Sequence, residues 1–302
     1  MANIGTLIEF IEQYGTEAAC FGSLIEHRWP DGFQCPACGE RRTYIVETRL
    51  LLECAHCGRQ TSVTAGTIFH KTRTSLQKWF LAIYLIAATK KATSASELCR
   101  QLDIAYQTAW TMRRKIVQAM TRRPGELMLC GMVELDESLI GGPEGGKHGR
   151  ETESKTLVAV AVDHTMKGGC RQAHMQVIQD ASAISLTAAA VAAISPGSAV
   201  LTDGWQGYKG LPDQGYDHKP MVLSCPQDAS KLLPWVHITI SNFKRWILDV
   251  FHGVSPKHIQ AYLDEFCYRL NRRWQREDLF RRVLNRCLRF TTPVTYAQLI
   301  AS

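Results

Sequence analysis

Long hydrophobic runs are absent from this 302-residue chain. The longest candidate, Trp79 to Ala88, is well short of the roughly eighteen apolar residues that a membrane-spanning helix needs. The first residues, Met1-Ala-Asn-Ile, lack the basic region and the cleavage site of a secretory signal. No Ser or Tyr nucleophile constellation stands out either. These absences argue against a membrane protein, a secreted protein and covalent catalysis through serine or tyrosine.

Cysteines with paired spacing are confined to one segment, although the chain has 11 cysteines. The others show no such pairing, and several stand in apolar runs, where a free cysteine behaves as a small hydrophobe. They are Cys20, Cys99, Cys130, Cys170, Cys225, Cys267 and Cys287. This usage indicates a reducing compartment, so we expect a cytoplasmic protein.

Charge is only moderately biased toward one sign. The 35 Lys and Arg against 28 Asp and Glu give a formal net charge of +7, which permits a polyanionic partner without demanding one. Arginines nevertheless cluster around Arg113-Arg114 and around Arg272-Arg273. A guanidinium group can bond two phosphate oxygens at once, so these clusters are candidates for nucleic-acid contacts. Solvated helix faces are the alternative.

The most informative segment present holds two cysteine knuckles, Cys35-Pro-Ala-Cys38 and Cys54-Ala-His-Cys57. Each knuckle places two thiolates on a tight turn, and the fifteen residues between the knuckles match the spacing of a zinc ribbon. Four sulfur ligands complete a tetrahedron and leave no open position. We therefore predict a structural zinc ion on these four cysteines, with any chemistry elsewhere; unligated core cysteines are the alternative.

A helix-turn-helix is predicted between Ser94 and Met120. Ser94 is a suitable N-cap with Glu97 at the capping-box position, and Asp103-Ile-Ala105 makes a turn before the second helix. The side chains that the second helix would present to a major groove are Tyr106, Gln107, Thr108, Arg113 and Arg114. The alternative is a plain helical hairpin whose apolar side chains only build a core.

Beyond a linker at Pro124-Gly125, strands alternate with helices. The predicted strands cover 132–138, 156–162, 173–178 and 199–202, and the predicted helices cover 182–194 and about 239–250, 256–275 and 277–290. This pattern predicts an α/β domain with a mixed sheet. We expect three domains: 1–66 with a helical lead-in and the ribbon, 67–123 with the helix-turn-helix, and 124–302 with the sheet.

Two acidic positions in the last domain suit a metal site. Side chains alternate along a strand, so Glu134, Asp136 and Ser138 face one side, where a buried carboxylate is costly unless it is paired. Asp203 ends a strand, and ligands of open α/β sheets gather at strand ends. Carboxylates from neighbouring strands could converge on Mg²⁺ for phosphoryl transfer. The alternative for Asp203 is an Asx-turn ahead of Gly204.

Other polar groups compete with these two for a role. Glu134 shares the face of Asp136 and could be a second ligand, whereas Glu137 points to the other face and is expected at solvent or an interface. The histidines His148, His237 and His252 are scattered along the chain. A surface or core position is the expectation for each of them.

The chain resembles bacterial insertion-sequence transposases that have an N-terminal zinc ribbon, a helix-turn-helix and an RNase H-like catalytic domain of the DDE type. The resemblance covers essentially the whole chain. Its most specific segments are Arg28-Trp-Pro-Asp-Gly-Phe-Gln-Cys-Pro, Ser62-Val-Thr-Ala-Gly-Thr-Ile-Phe, Glu134-Leu-Asp-Glu-Ser-Leu-Ile-Gly-Gly, Thr202-Asp-Gly-Trp-Gln-Gly-Tyr, and His258 through Tyr262-Leu-Asp-Glu-Phe to Asn271-Arg-Arg. It maps the first two catalytic acids onto Asp136 and Asp203.

The third catalytic position departs from the DDE pattern. A glutamate is expected on the helix near Thr239, where this chain has Ser241-Asn242-Phe-Lys244. The resemblance is to a subgroup with asparagine and a nearby lysine, which assigns the roles to Asn242 and Lys244. An amide oxygen can coordinate a hard cation without adding charge, and Lys244, a point cation, would contact phosphate. Asp249, about 10 Å further along the helix, is a poor substitute, and a purely structural Asn242 is the alternative.

The resemblance implies a DNA transposase that binds the terminal inverted repeats of its element and uses Mg²⁺, two ions in all, to cut and join strands. It implies double-stranded DNA, both element ends and target, as the partner, and a homo-oligomer on that DNA. Two alternatives stay open. One is a non-catalytic DNA-binding regulator that kept the fold, and the other is a metal-dependent nuclease that cuts without joining.

Overall fold

The computed structural model describes residues 6–123, 126, 128–141, 155–165, 169–221, 232–251, 254–275, 278–289 and 293–301, with only the backbone at Glu47. The Pro124-Gly125 linker, His148, Cys225 and His252 lie outside these ranges. No helix in the described part of the chain has the length and apolar character that crossing a bilayer requires.

Helices and strands alternate much as the sequence predicts. The described helices are α1 (Leu7–Tyr14), α2 (Glu17–Arg28), α3 (Leu76–Ala88), α4 (Ala95–Leu102), α5 (Tyr106–Met120), α6 (Ala183–Ala193), α7 (Pro234–Phe251), α8 (Ile259–Leu270), α9 (Leu279–Leu288) and α10 (Tyr296–Ala301). The described strands are β1 (Thr43–Val46), β2 (Leu51–Cys54), β3 (Gln60–Ser62), β4 (Met132–Ile140), β5 (Thr156–His164), β6 (Cys170–Val177), β7 (Ala199–Thr202) and β8 (Asp217–Pro220).

Side-chain caps explain where several helices begin. Thr6 and Glu9 form a complete capping box at α1, in which each side chain bonds the backbone of the other. Ser94 caps α4 as predicted, since its hydroxyl accepts the N–H of Glu97 at 3.1 Å. Asp103 ends α4 in the left-handed conformation, with φ of 48°. Caps of this kind can be predicted from the sequence, because the capping hydroxyl and the backbone N–H that it accepts are only three residues apart.

Contacts divide the chain into two compact units, residues 1–120 with 274–302 and residues 121–273. The first unit holds the antiparallel three-stranded ribbon β1-β2-β3 and an aromatic core. Phe280 of α9 is at the centre of this core, with its ring 5.5 Å from Phe10, 5.3 Å from Tyr14, 6.0 Å from Phe80 and 6.4 Å from Tyr84. The prediction had placed residues 274–302 with the sheet. Burial of Phe280 among aromatic rings far away in sequence puts α9 in the first unit instead.

The second unit is a five-stranded sheet in the order β6-β5-β4-β7-β8. Strand β4 is antiparallel to β5 and parallel to β7, so the sheet is mixed. Alternate residues of β5 pack on opposite faces: Ala159 and Ala161 join the core with α6, and Val158, Val160 and Val162 join the core with α7 and α8. Burial on both faces accounts for the continuous apolar run of β5. The predicted class, an α/β fold with a mixed sheet preceded by a zinc ribbon and helices, is confirmed.

Candidate functional site

The four knuckle cysteines come together in the first unit. Their sulfur atoms all lie within 4.8 Å of one another, with Cys35 Sγ 3.6 Å from Cys57 Sγ and Cys38 Sγ 3.5 Å from Cys54 Sγ. A tetrahedral zinc ion with Zn–S bonds of about 2.3 Å requires sulfur separations of about 3.8 Å. The arrangement therefore fits structural zinc. No other set of three or more His, Cys, Asp or Glu side chains among the described residues is gathered so closely.

Asp136 belongs to β4, and Asp203 directly follows β7, the neighbouring parallel strand of the second unit. Glu134 of β4 pairs with Leu201 of β7 in the last pair of that register, and each aspartate follows two residues later. Because side chains alternate along β4, Asp136 faces the same side as Glu134, toward the layer of α7. Asp136 thus lies in the middle of its strand, and Asp203 lies just past the carboxyl end of the adjacent one.

Tyr208 lies beneath these carboxylates on the other side of the sheet. Its buried hydroxyl donates a hydrogen bond of 2.6 Å to Oε2 of Glu137. Burial raises the pKa of Tyr208 strongly, and the charges of Glu137, Asp136 and Asp203 raise it further, which means that all three carboxylates are near the phenol. Tyr208 therefore stays a neutral donor. Glu137 is held by a buried tyrosine rather than turned to solvent, which corrects the sequence expectation.

The loop that carries Asp203 is fixed against α6. Asp203 Oδ1 accepts the N–H of Trp205 at 2.9 Å, so the Asx-turn considered from the sequence is present, and the residue is nevertheless exposed. The indole Nε1 of Trp205 donates to the carbonyl of Ala181 at 3.0 Å. A Cβ on Gly207 would come within 2.7 Å of Leu186 Cδ1 and 2.9 Å of the Ala181 oxygen. Only glycine permits this close approach.

Glu134 anchors the start of α7. Its buried Oε2 accepts the N–H of Val236 at 2.9 Å, and its Oε1 is 3.7 Å from His164 Nε2. Burial raises the pKa of Glu134, and the hydrogen bond from Val236 opposes that rise. A carboxylate at the first turn of a helix satisfies N–H groups that have no partner within the helix. The carboxylate of Glu134 already accepts a hydrogen bond from the backbone of α7. This weighs against the alternative that Glu134 is a second metal ligand.

Lys244, about two turns further along α7 than Val236, also contacts β4. Its Nζ donates to Ser138 Oγ at 3.3 Å. Burial lowers the pKa of Lys244, and the charge of Lys155 lowers it further. The two ammonium groups are thus close enough to repel one another. A pair of like charges held beside carboxylates suits an anionic group such as a phosphate.

The side chain of His237 on α7 lies close to Asp136. His237 Nε2 lies 3.9 Å from Asp136 Oδ2. Asn242 is exposed and follows His237 by five residues, so it projects about 140° away around the helix. The role that the resemblance assigns to Asn242 stays a prediction. The sequence offered one signal for His237, its i, i+7 spacing from Lys244, which puts both on one helix face.

The start of α5 exposes the first three residues predicted to contact bases. Tyr106 is 56% exposed, Gln107 is exposed and Thr108 is half-buried. Arg113 and Arg114 differ, with 3% and 8% exposure. Arg113 Nε donates to the carbonyl of Thr93 at 2.6 Å. Both side chains are buried within the first unit, and their contact with DNA stays a prediction.

Arg272 and Arg273 are also engaged within the protein. The guanidinium of Arg272 stacks 3.9 Å from the ring centroid of Tyr268. Arg273 donates to the carbonyl of Arg171 at 3.1 Å and to that of Cys170. These bonds tie the end of α8 to β6. Both arginines therefore have contacts within the second unit, and the prediction that they grip phosphate stays a prediction.

Two parts of the chain match domains of transposases. The ISXO2-like transposase domain matches residues 128–271, and the transposase zinc-ribbon domain matches residues 15–60. A relative from Halobacterium salinarum (strain ATCC 700922 / JCM 11081 / NRC-1), described as an uncharacterized protein in transposable element ISH50, is 26% identical over 285 residues, which cover 85% of this chain and 91% of the relative.

Two solved structures of Mos1 also align with this chain. The Mos1 transposase paired-end complex with left transposon end is 14% identical, covers 71% of this chain and 80% of its own, and has a TM-score of 0.23. The Mos1 strand transfer complex is 13% identical, covers 72% and 79%, and has a TM-score of 0.25. Scores this low do not by themselves establish a common fold.

Proposed function

We propose that this chain is the transposase of an insertion sequence, because residues 128–271 match the ISXO2-like transposase domain and residues 15–60 match the transposase zinc-ribbon domain. It binds the terminal inverted repeats of its element and catalyses metal-dependent strand cleavage followed by strand transfer. The observation that supports the chemistry is the parallel pairing of Glu134 with Leu201, two residues before Asp136 and Asp203 respectively. The relative in a transposable element supports the biological setting.

The two aspartates fit a divalent cation. Their carboxylate oxygens, one set on β4 and one just past the end of β7, are hard donors, which Mg²⁺ and Mn²⁺ accept. When bound there, such an ion supplies an activated water or 3′-hydroxyl and neutralises charge on the leaving oxygen. Asp136 and Asp203 would hold the ion, and the bond of Asp203 to Trp205 N would keep its carboxylate oriented.

The remaining groups of the site have positioning roles. Lys244 and Lys155 would hold the scissile phosphate through their charges, as suits compact ammonium groups. Glu134 keeps the first turn of α7 on β4, which sets the distance from α7 to the aspartates. No covalent protein–DNA bond is required, because a 3′-hydroxyl can attack the target phosphodiester in line.

Recognition of the element ends is assigned to the first unit. The exposed side chains at the start of α5, Tyr106 and Gln107, are placed as in a recognition helix whose first turn meets base edges. The zinc ribbon would add a second contact beside them. Since transposition joins two ends of one element, we expect two or more copies of the chain on the DNA.

One reaction separates this function from its alternatives. The purified protein is incubated with DNA carrying an element end, with Mg²⁺ or Mn²⁺, and with target DNA. Joined products support a transposase, nicks without joining support a nuclease, and a mobility shift without either supports a regulator. DNA of the same length and composition without the terminal repeat is the control.

A further inference from the structure

The two N-terminal segments that carry the resemblance to transposases, 28–36 and 62–69, meet at the side chain of Arg28. We infer that Arg28 is a positioning residue, which fixes the zinc ribbon in one orientation on the helices of the first unit. The ribbon and the start of α5 then contact the element end at one fixed spacing along the DNA. This inference rests on the proposed function, because it concerns the DNA contacts that are assigned to the first unit.

The two ends of the ribbon are joined by this side chain. Arg28 is the last residue of α2, where the chain enters the ribbon, and Ser62 is the last residue of β3, where the chain leaves it. Nη1 of Arg28 donates to the carbonyl oxygen of Ser62 at 3.1 Å and also to that of Val63. Because the entering and the leaving segments are bonded to each other, they cannot bend independently.

The orientation of the guanidinium group is set on the entry side. The Cζ of Arg28 lies 4.9 Å from the ring centroid of Trp29. Trp29 in turn meets Phe33 edge-on, with 5.0 Å between the ring centroids. Phe33 is buried and lies two residues before Cys35, the first of the four knuckle cysteines. A planar group that stacks on an indole and bonds two carbonyls has few other orientations open to it.

The segment on the exit side is itself fixed to α3. The hydroxyl of Thr67 donates to the carbonyl of Thr64 at 2.7 Å and accepts the N–H of Phe69 at 3.1 Å. Phe69 is buried, and its ring meets Trp79 of α3 edge-on, with 5.2 Å between the centroids. Since α3 packs on both α4 and α5, the bonds of Arg28 fix the ribbon relative to the helix-turn-helix.

A fixed ribbon has a measurable consequence for DNA recognition. Two contacts held at one spacing reinforce each other on a matching site, and this gain is lost when the geometry does not match. One base pair inserted between the two contacted segments turns one of them by about 35° relative to the other. The wild-type protein should therefore bind such DNA at least about tenfold more weakly than the natural end. A ribbon that turns freely should tolerate the insertion.

The test compares wild type and Arg28→Gln, both full length and zinc-loaded, on end DNA with single base-pair insertions scanned across the wild-type footprint. For insertions between the contacted segments, we expect the affinity for the natural end to exceed that for inserted DNA at least about tenfold in wild type and less than about threefold in Arg28→Gln. Insertions inside a contacted segment should weaken both proteins.

Arg59→Gln is the matched control, because Arg59 is an exposed arginine of the ribbon. Loss of its charge can weaken binding to both DNAs, but their affinity ratio should stay at the wild-type value. Zinc content and thermal unfolding verify that the ribbon is intact in each variant. If Arg28→Gln fails either check, Arg28→Lys replaces it with the same expectation, since lysine keeps the charge but has no planar group to stack on Trp29.

The outcomes separate this inference from the proposed function. If no insertion distinguishes the Arg28 variant from wild type, the positioning role is overturned. It is also overturned if the ratio falls equally in Arg59→Gln, because the effect is then one of charge alone. In both cases the proposed function stands as long as element ends are bound more tightly than unrelated DNA. Equal affinity of the wild type for ends and for unrelated DNA removes end recognition, and this inference fails with it.

Discussion

Glu134 and Leu201 are 67 residues apart in the chain, yet they pair in the parallel register of β4 and β7. This pairing directs the segments that carry Asp136 and Asp203 to the same part of the sheet. Asp136 stands on β4 itself, and Asp203 follows β7 in a loop that the bond from Trp205 to the carbonyl of Ala181 holds in place. This relationship is the basis of the first prediction.

Replacing Asp203 by alanine should abolish strand transfer while DNA binding persists. The carboxylate would hold the ion that stabilises charge in the transition state, and loss of about 4 kcal/mol of that stabilisation lowers the rate about 10³-fold. Strand transfer is measured with labelled element-end DNA, and DNA binding by mobility shift. Asp213→Ala, at an exposed aspartate of a short 3₁₀ turn, is the control and should keep activity. Strand transfer at the wild-type rate in Asp203→Ala would remove this residue from the site.

Replacing Cys38 by serine should release zinc and destabilise the first unit. A serine hydroxyl is a poor zinc ligand, and the free energy of binding a structural zinc ion contributes to folding. Zinc content by mass spectrometry and thermal unfolding measure the two effects. Cys130→Ser, at an exposed cysteine of the second unit, should leave zinc at the wild-type level. A zinc content in Cys38→Ser equal to that of Cys130→Ser would contradict the four-cysteine site.

Replacing Gln107 by alanine should weaken binding to element ends without changing its salt dependence. A glutamine that pairs with a base edge contributes about 1–3 kcal/mol of discrimination, whereas the salt slope reports contacts with phosphates. Affinities for end DNA and for unrelated DNA of equal length are compared at several salt concentrations. Equal losses on both DNAs, or a shallower salt slope, would show that Gln107 does not read bases.

Replacing Phe280 by alanine should destabilise the first unit by about 3–5 kcal/mol, because it removes the central ring of an aromatic core. Chemical denaturation followed by fluorescence measures this change. Tyr44→Ala, at a side chain that is 65% exposed, should change stability by less than about 0.5 kcal/mol. Similar unfolding midpoints for the two variants would contradict the packing of α9 on the N-terminal helices.

The sequence predicts features that depend on short-range patterns. The spacing of the knuckles identifies the zinc site. Alternation along β4 puts Glu134, Asp136 and Ser138 on one face, and the resemblance singles out Asp136 and Asp203. The sequence does not predict that His237 lies near Asp136, because the position of α7 depends on Glu134, which bonds Val236 from more than a hundred residues away.

Arginine burial is the other feature that the sequence conceals. Composition indicates that Arg113 carries a charge but not that the carbonyl of Thr93 accepts its hydrogen bond. Arg286 is likewise 9% exposed, with Nε 2.6 Å from the carbonyl of Ala119. Such bonds join segments that are distant in sequence. A cluster of arginines in the sequence therefore does not reveal whether the side chains face DNA or are buried in the protein.

The glycine at position 207 has a consequence for how the substrate is met. A single methyl group added at Gly207 would collide with Leu186 Cδ1 and with the Ala181 oxygen, so the backbone four residues after Asp203 has no space to move closer to α6. If Asp203 takes part in catalysis as proposed, the DNA rather than this backbone has to adjust to bring the scissile bond to it.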